Sequence, residues 1–134
     1  MTRIIQISDP HIVPTGELAY GRVDTAAPLK ACVETINRIL PDIGPVDMAI
    51  VTGDLTDFGT AQEYQRFRDI MEPLAIPYRA IPGNHDNVRM MRAGFADQEW
   101  MPKSGPINWS VEFNELALIG LDTNVEGKAH GHLT

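Results

Sequence analysis

Apolar positions along this chain come in short runs, and each of the first three ends on polar residues of a similar kind. Ile4, Ile5 and Ile7 form a β-branched run that stops at Ser8-Asp9-Pro10, the pattern of a buried strand. A polar loop containing Pro14 and Gly16 follows. From Asp24 the period lengthens, with Leu29, Cys32 or Val33, Ile36, and Ile39 or Leu40 recurring at helical spacing. Asp24 or Thr25 is the expected cap of that helix and Pro41 its expected stop. A second run, Met48 to Val51, ends at Thr52-Gly53-Asp54. Thr60 and Glu63 then form a capping-box pair opening a helix through Tyr64, Phe67, Ile70 and Met71, with Pro73 closing it. A third run, Tyr78 to Ile81, ends at Pro82-Gly83-Asn84-His85-Asp86.

This is strand, helix, strand, helix, strand, an α/β order that calls for parallel pairing through right-handed crossovers. A short helical patch near Val88 to Phe95 comes next. Trp109, Val111 and Phe113 then alternate with polar neighbours, and Leu116 to Leu121 is another apolar run. Asn114-Glu115 between them predicts a tight antiparallel hairpin. Trp109 and Phe113 are expected to pack a sheet face. Met90, Met91 and Trp100 read either as packing residues or as part of a loop or contact between copies.

Composition narrows the picture only modestly. The 134 residues suffice for one compact domain, and 43% hydrophobic with 22% charged residues is an ordinary globular balance. A net charge of −7 argues against nucleic-acid polymers or an anionic membrane as partners. It leaves a small anionic substrate open, because a metal can supply local positive charge. Cys32 is the sole cysteine and falls on an apolar helix face, so a core position and a reducing, cytoplasmic setting are expected. The N-terminal MTRIIQISDPH runs straight into a strand pattern, with no apolar stretch of signal-peptide or membrane-span length.

Candidate chemistry gathers at the strand exits. Asp9 and His11 follow the first strand, Asp54 and Asp57 the second, and Asn84, His85 and Asp86 the third. Each cluster alone could be a turn, and Asp86 or Asn87 could simply cap the next helix. In a parallel sheet, however, the three exits share one edge, where ligands of open α/β sheets bind. Carboxylates, imidazoles and an amide oxygen with almost no thiol suit hard or borderline divalent ions such as Mn, Fe(II), Zn or Co. Two such ions about 3.5–4 Å apart can activate water and stabilise a phosphoryl transfer. Neither a phosphate-binding glycine-rich loop nor a dinucleotide fingerprint is present.

The blocks "SDPH", "GDLTD" and "GNHD" together resemble the first three blocks of the calcineurin-like metallophosphoesterases. The stretch "LAYGRVDTAAPLKACVETIN" is similar to the branch holding class III cyclic-nucleotide phosphodiesterases and glycerophosphodiesterases. That resemblance implies a four-layered α/β/β/α sandwich and two divalent metal ions. Asp9 and His11 would bind one, Asp54 would bridge both, Asn84 would bind the second, and His85 would act beside them on the phosphate or the leaving group. Asp57 and Asp86 would support loops and hydrogen-bond the ligands. The implied activity is metal-dependent hydrolysis of a small phosphodiester, either a cyclic nucleotide or a glycerophosphodiester, by a hydroxide held between the metals; phosphomonoester hydrolysis is the enzymatic alternative. The family completes its site with later histidines, including a Gly-His-x-His pair that residues 1–134 do not contain. His130 and His132 in "KAHGHLT" lack that spacing and read as an exposed loop. Residues 1–134 are therefore expected to form the N-terminal part of the domain, the βαβαβ unit and a hairpin. Its open sheet edges would be met by a second copy or a further segment. The non-catalytic alternative is a metal-binding or assembly fragment that depends on those further histidines.

Overall fold

The computed structural model describes residues 1–133. Strands β1 (Ile4–Ile7), β2 (Met48–Thr52) and β3 (Tyr78–Ile81) pair in parallel in the order β1-β2-β3. Helices α1 (Ala26–Ile43) and α2 (Ala61–Met71) form the two crossovers and pack against each other on one side of that sheet. A short α3 (Val88–Gly94) leads to a hairpin of β4 (Trp109–Glu112) and β5 (Ala117–Gly120). The expected α/β order is thus met element by element. Among the described residues no helix is long and apolar enough to cross a membrane.

The sheet and both helices share one core. Ile7, Val51 and Ala80 from the strands meet Leu29, Val33 and Ile36 of α1 and Tyr64, Phe67, Ile70 and Met71 of α2. Cys32 packs at its margin. Met91 is fully buried, and the partly buried Met90 and Trp100 pack against the same cluster, with the Trp100 ring 5.5 Å from that of Phe95. These three residues therefore do packing work.

Helix ends show where sequence rules hold and where they bend. Asp24 caps α1, its Oδ1 accepting from the amides of Ala26 at 3.0 Å and Ala27 at 3.1 Å. Pro41 does not end α1 as expected. It lies inside the helix, which continues to Ile43 and stops where Gly44 adopts φ 78°. A proline this close to the C-terminus forgoes a single i→i−4 bond, and only two residues of helix follow it. The capping box of α2 forms as predicted, with Glu63 donating its amide to Thr60 Oγ1 and accepting from the Thr60 amide at 2.8 Å. Glu63 is fully buried and also accepts from the Phe58 amide at 3.2 Å.

The hairpin closes one edge of the parallel sheet. Trp109 Nε1 donates to the Ala80 carbonyl at 2.8 Å, and Arg79 donates to the Ser110 carbonyl at 2.6 Å. An indole thus occupies a β3 backbone group that a further strand would otherwise use. Gly120 lies opposite Trp109, and a Cβ there would fall 2.3 Å from the indole. Phe113 departs from expectation: β4 ends at Glu112, and the Phe113 amide instead closes the hairpin turn on the Leu116 carbonyl at 2.8 Å. Only Trp109 and Val111 of that alternating set join the core.

Trp109→Phe keeps the ring but removes the donor, so we expect a loss of roughly 1 kcal/mol. Gly120→Ala forces the indole out of place and should cost more, about 1–3 kcal/mol. Urea midpoints of the two variants check both the sizes and their order.

Candidate metal centre

The exits of β1 and β2 stay zipped after the strands end. The Asp9 amide donates to the Gly53 carbonyl at 3.2 Å, His11 to Asp54 at 2.9 Å and Ile12 to Leu55 at 3.0 Å. This path requires left-handed backbone at Asp9 (φ 55°), His11 (φ 44°) and Asp54 (φ 48°), three of the four such non-glycine residues described. Each costs on the order of 1 kcal/mol and persists only where its surroundings over-determine it. Glycine lets the third exit approach. A Cβ on Gly83 would lie 2.2 Å from Asp54 Oδ1, and one on Gly53 would lie 3.1 Å from Gly83 Cα. The three predicted clusters are thereby brought to one sheet edge.

The side chains converge from there. His11 Nε2 lies 3.5 Å from Asp54 Oδ2 and 3.9 Å from Asp9 Oδ1. The donor atoms of Asp9, His11 and Asp54 all fall within 4.8 Å of one another. An ion about 2.1 Å from each donor would set donor separations of roughly 3.0–3.4 Å, so closing on it requires the side chains to draw together from their present spacing. Asp54 is otherwise tied down, its Oδ1 accepting from the His85 amide at 2.9 Å. Asn84 is exposed and lines a cleft of about 300 Å³ together with Asp9 and Asp54.

Asp57 is buried behind the two imidazoles. Its Oδ1 lies 3.3 Å from His11 Nδ1 and 3.5 Å from His85 Nδ1, and its carbonyl is 2.9 Å from His85 Nδ1. The rings meet edge to face with centroids 4.8 Å apart. With a proton on Nδ1 toward Asp57, His11 keeps the Nε2 lone pair directed at Asp9 and Asp54. His11, Asp57 and His85 also form a second cluster of ligand-type atoms, but the Asp57 oxygen is committed to the Nδ1 side of both rings.

Asp86 is also buried and faces away from the cleft. It accepts from the amides of Leu55 (3.0 Å), Thr56 (3.2 Å) and Gly83 (2.9 Å), and from the hydroxyls of Thr56 (2.9 Å) and Tyr64 (3.0 Å). Burial pushes its carboxyl above the usual carboxylate range while these donors oppose the shift. Burial, then the Asp86 charge, also push the Tyr64 phenol up. Asn87, not Asp86, caps α3, its Oδ1 accepting from the Met90 amide at 3.0 Å.

Sequence reasoning overlooked Asn124. Its Nδ2 donates to the Gly83 carbonyl at 2.7 Å and the Asp86 carbonyl at 3.1 Å. The signal was present, since Leu121-Asp122-Thr123-Asn124 repeats after β5 the pattern of apolar run then polar exit. His130 and His132 are exposed, as expected. His130 nevertheless lines the same cleft as Asp9, and the His132 amide donates to the Thr123 carbonyl at 2.8 Å. A larger cleft of about 700 Å³ starts from the opposite strand ends, beside Met48 and Tyr78, and holds none of the converging ligand atoms.

Residues 2–134 match the family model described as calcineurin-like phosphoesterase. The chain is 37% identical over 131 residues to a probable glycerophosphodiester phosphodiesterase of Arcobacter nitrofigilis, covering 98% of this chain and 47% of that protein. It is 31% identical to a cAMP/cGMP dual specificity phosphodiesterase of Mycobacterium tuberculosis (97% and 41% covered). It is 30% identical to a 3′,5′-cyclic adenosine monophosphate phosphodiesterase of Pseudomonas aeruginosa (97% and 44%). The chain thus spans less than half the length of these relatives. Among solved structures it superimposes on a purple acid phosphatase from yellow lupin seeds with TM-score 0.53 and 18% identity, over 88% of this chain and 23% of that one. Fold, strand-end clusters and family match agree, and the chain belongs to the calcineurin-like phosphoesterase family.

Proposed function

We propose that this chain carries the N-terminal part of a metal-dependent phosphodiesterase site acting on a small phosphodiester, a cyclic nucleotide or a glycerophosphodiester. The observation that carries the reading is the convergence of Asp9, His11 and Asp54, with Asp9 and Asp54 lining a cleft together with Asn84. Carboxylates and a neutral imidazole suit Fe, Mn, Zn or Co. Asp9, His11 and Asp54 would hold one ion, and Asp54 with Asn84 part of a second. Divalent ions there would acidify a water molecule and neutralise charge at the phosphate. Without them a diester anion would meet two carboxylates on a chain of net charge −7.

The residues supply the rest. Asp57 holds both imidazoles by their Nδ1 atoms. As an imidazolium His85 presents its Nε2 proton to the departing alcohol oxygen, with Asp57 stabilising the charge. Water adds to phosphorus and loses a proton to solvent, the P–O bond breaks, and the alcohol leaves with the proton from His85. A phosphomonoester and an alcohol result. The outer edge of β1, paired among the described residues only with β2, and the exposed Ile119 of β5 would be met by a further segment of the domain or a second copy. The lone Cys32 suits a reducing, cytoplasmic setting.

Metal titration by calorimetry should give at most one ion per 134-residue chain, held weakly, because the second site has two protein ligands here. Asp54→Ala should abolish that binding, and two tightly held ions would overturn the assignment. Asp57→Asn should weaken metal affinity about 10–100-fold, since a neutral amide replaces the charged acceptor beside His11 Nδ1. With the family's later histidines supplied, hydrolysis of bis(p-nitrophenyl) phosphate, cAMP and glycerophosphocholine should identify the diester. Absence of hydrolysis with every divalent metal tried would defeat the enzymatic reading.

A further inference from the structure

We propose that Asn124 is a positioning residue for Asn84 and His85, with the β4–β5 hairpin as the arm that carries it to the site. The Asn124 amide group has two hydrogens, and both are used. One goes to the Gly83 carbonyl at 2.7 Å and the other to the Asp86 carbonyl at 3.1 Å. These carbonyls bracket Asn84 and His85, so one side chain grips the loop on either side of both. Only the nitrogen end of the amide can face two acceptors, which fixes its orientation.

Asn124 is itself held from behind. Its amide donates to Asp122 Oδ1 at 2.8 Å, and Asp122 Oδ2 accepts from the Ile107 amide at 2.9 Å. The Asp122 amide donates to Asn108 Oδ1 at 2.7 Å. The exit of β5 is thereby bolted to the entry of β4, and the hairpin is anchored on β3 through Trp109 and Arg79. A path of hydrogen bonds runs from the sheet edge through the hairpin and back to the strand exits. Asp86 fixes the loop from its buried side and Asn124 from the cleft side. With both in place the His85 amide is aimed at Asp54.

Only the catalytic consequence of this clamp rests on the phosphodiesterase reading; the clamp itself can be tested without metal. Amide hydrogen exchange would be followed by NMR in the metal-free wild-type chain, Asn124→Ala and Asn124→Asp, the last keeping the shape while removing both donors. The His85 and Asp86 amides should exchange about tenfold faster in both variants, while those of Ile12 and Asp57 stay within about twofold. Unchanged exchange at His85, or equal acceleration at all four amides, would overturn the proposal. In a second arm, on the protein with the family's later histidines supplied, with Mn²⁺ and bis(p-nitrophenyl) phosphate, kcat should fall about tenfold with KM within about threefold. An unchanged kcat in a hydrolysing protein also overturns it. No hydrolysis by the wild type would count against the phosphodiesterase reading alone, and the exchange data would then decide on Asn124.

Discussion

One buried carboxylate holds the strand exits in register. Asp86 collects five hydrogen bonds from four residues, Leu55, Thr56, Tyr64 and Gly83. They belong to the β2 exit, helix α2 and the β3 exit. A charge taken out of water needs its acceptor sites filled, and filling them from these directions leaves the loops little freedom. That constraint makes the left-handed backbone at Asp54 sustainable, and Asp54 in turn orients the His85 amide. The strain at the strand exits is thus balanced by a network that meets the cleft at Gly83 alone.

Much of this was legible in the residue pattern. Three apolar runs, two helical periods and the Thr60–Glu63 pair specified the elements, and the polar residues after each run named the side chains that meet. These features are local, with periods and spacings that a linear string displays directly. Pro41 misled because a proline's effect depends on how many turns remain beyond it. Phe113 misled because alternation shows which face a residue would take while the strand lasts, and here the strand ends one residue earlier.

Features that depend on contact across the fold were not legible. Nothing in the spacing of Asp57 shows that one oxygen lies near the Nδ1 atoms of two imidazoles from different loops. Nothing near Asn124 announces that its partners lie about forty residues earlier. The glycine pair is intermediate: Gly53 and Gly83 looked like ordinary turn formers, and only their packing shows that a methyl group at Gly83 would overlap Asp54.

The buried Glu63 gives the start of α2 an unusual weight. The first turn of a helix is normally where thermal fraying is freest. Here the carboxylate that caps that turn also accepts from the Phe58 amide, one residue beyond Asp57. Unwinding the first turn of α2 would release the peptide next to the group that steers both imidazoles. A capping residue of α2 and the alignment of the two imidazoles are thus mechanically linked through the single peptide that joins Asp57 to Phe58.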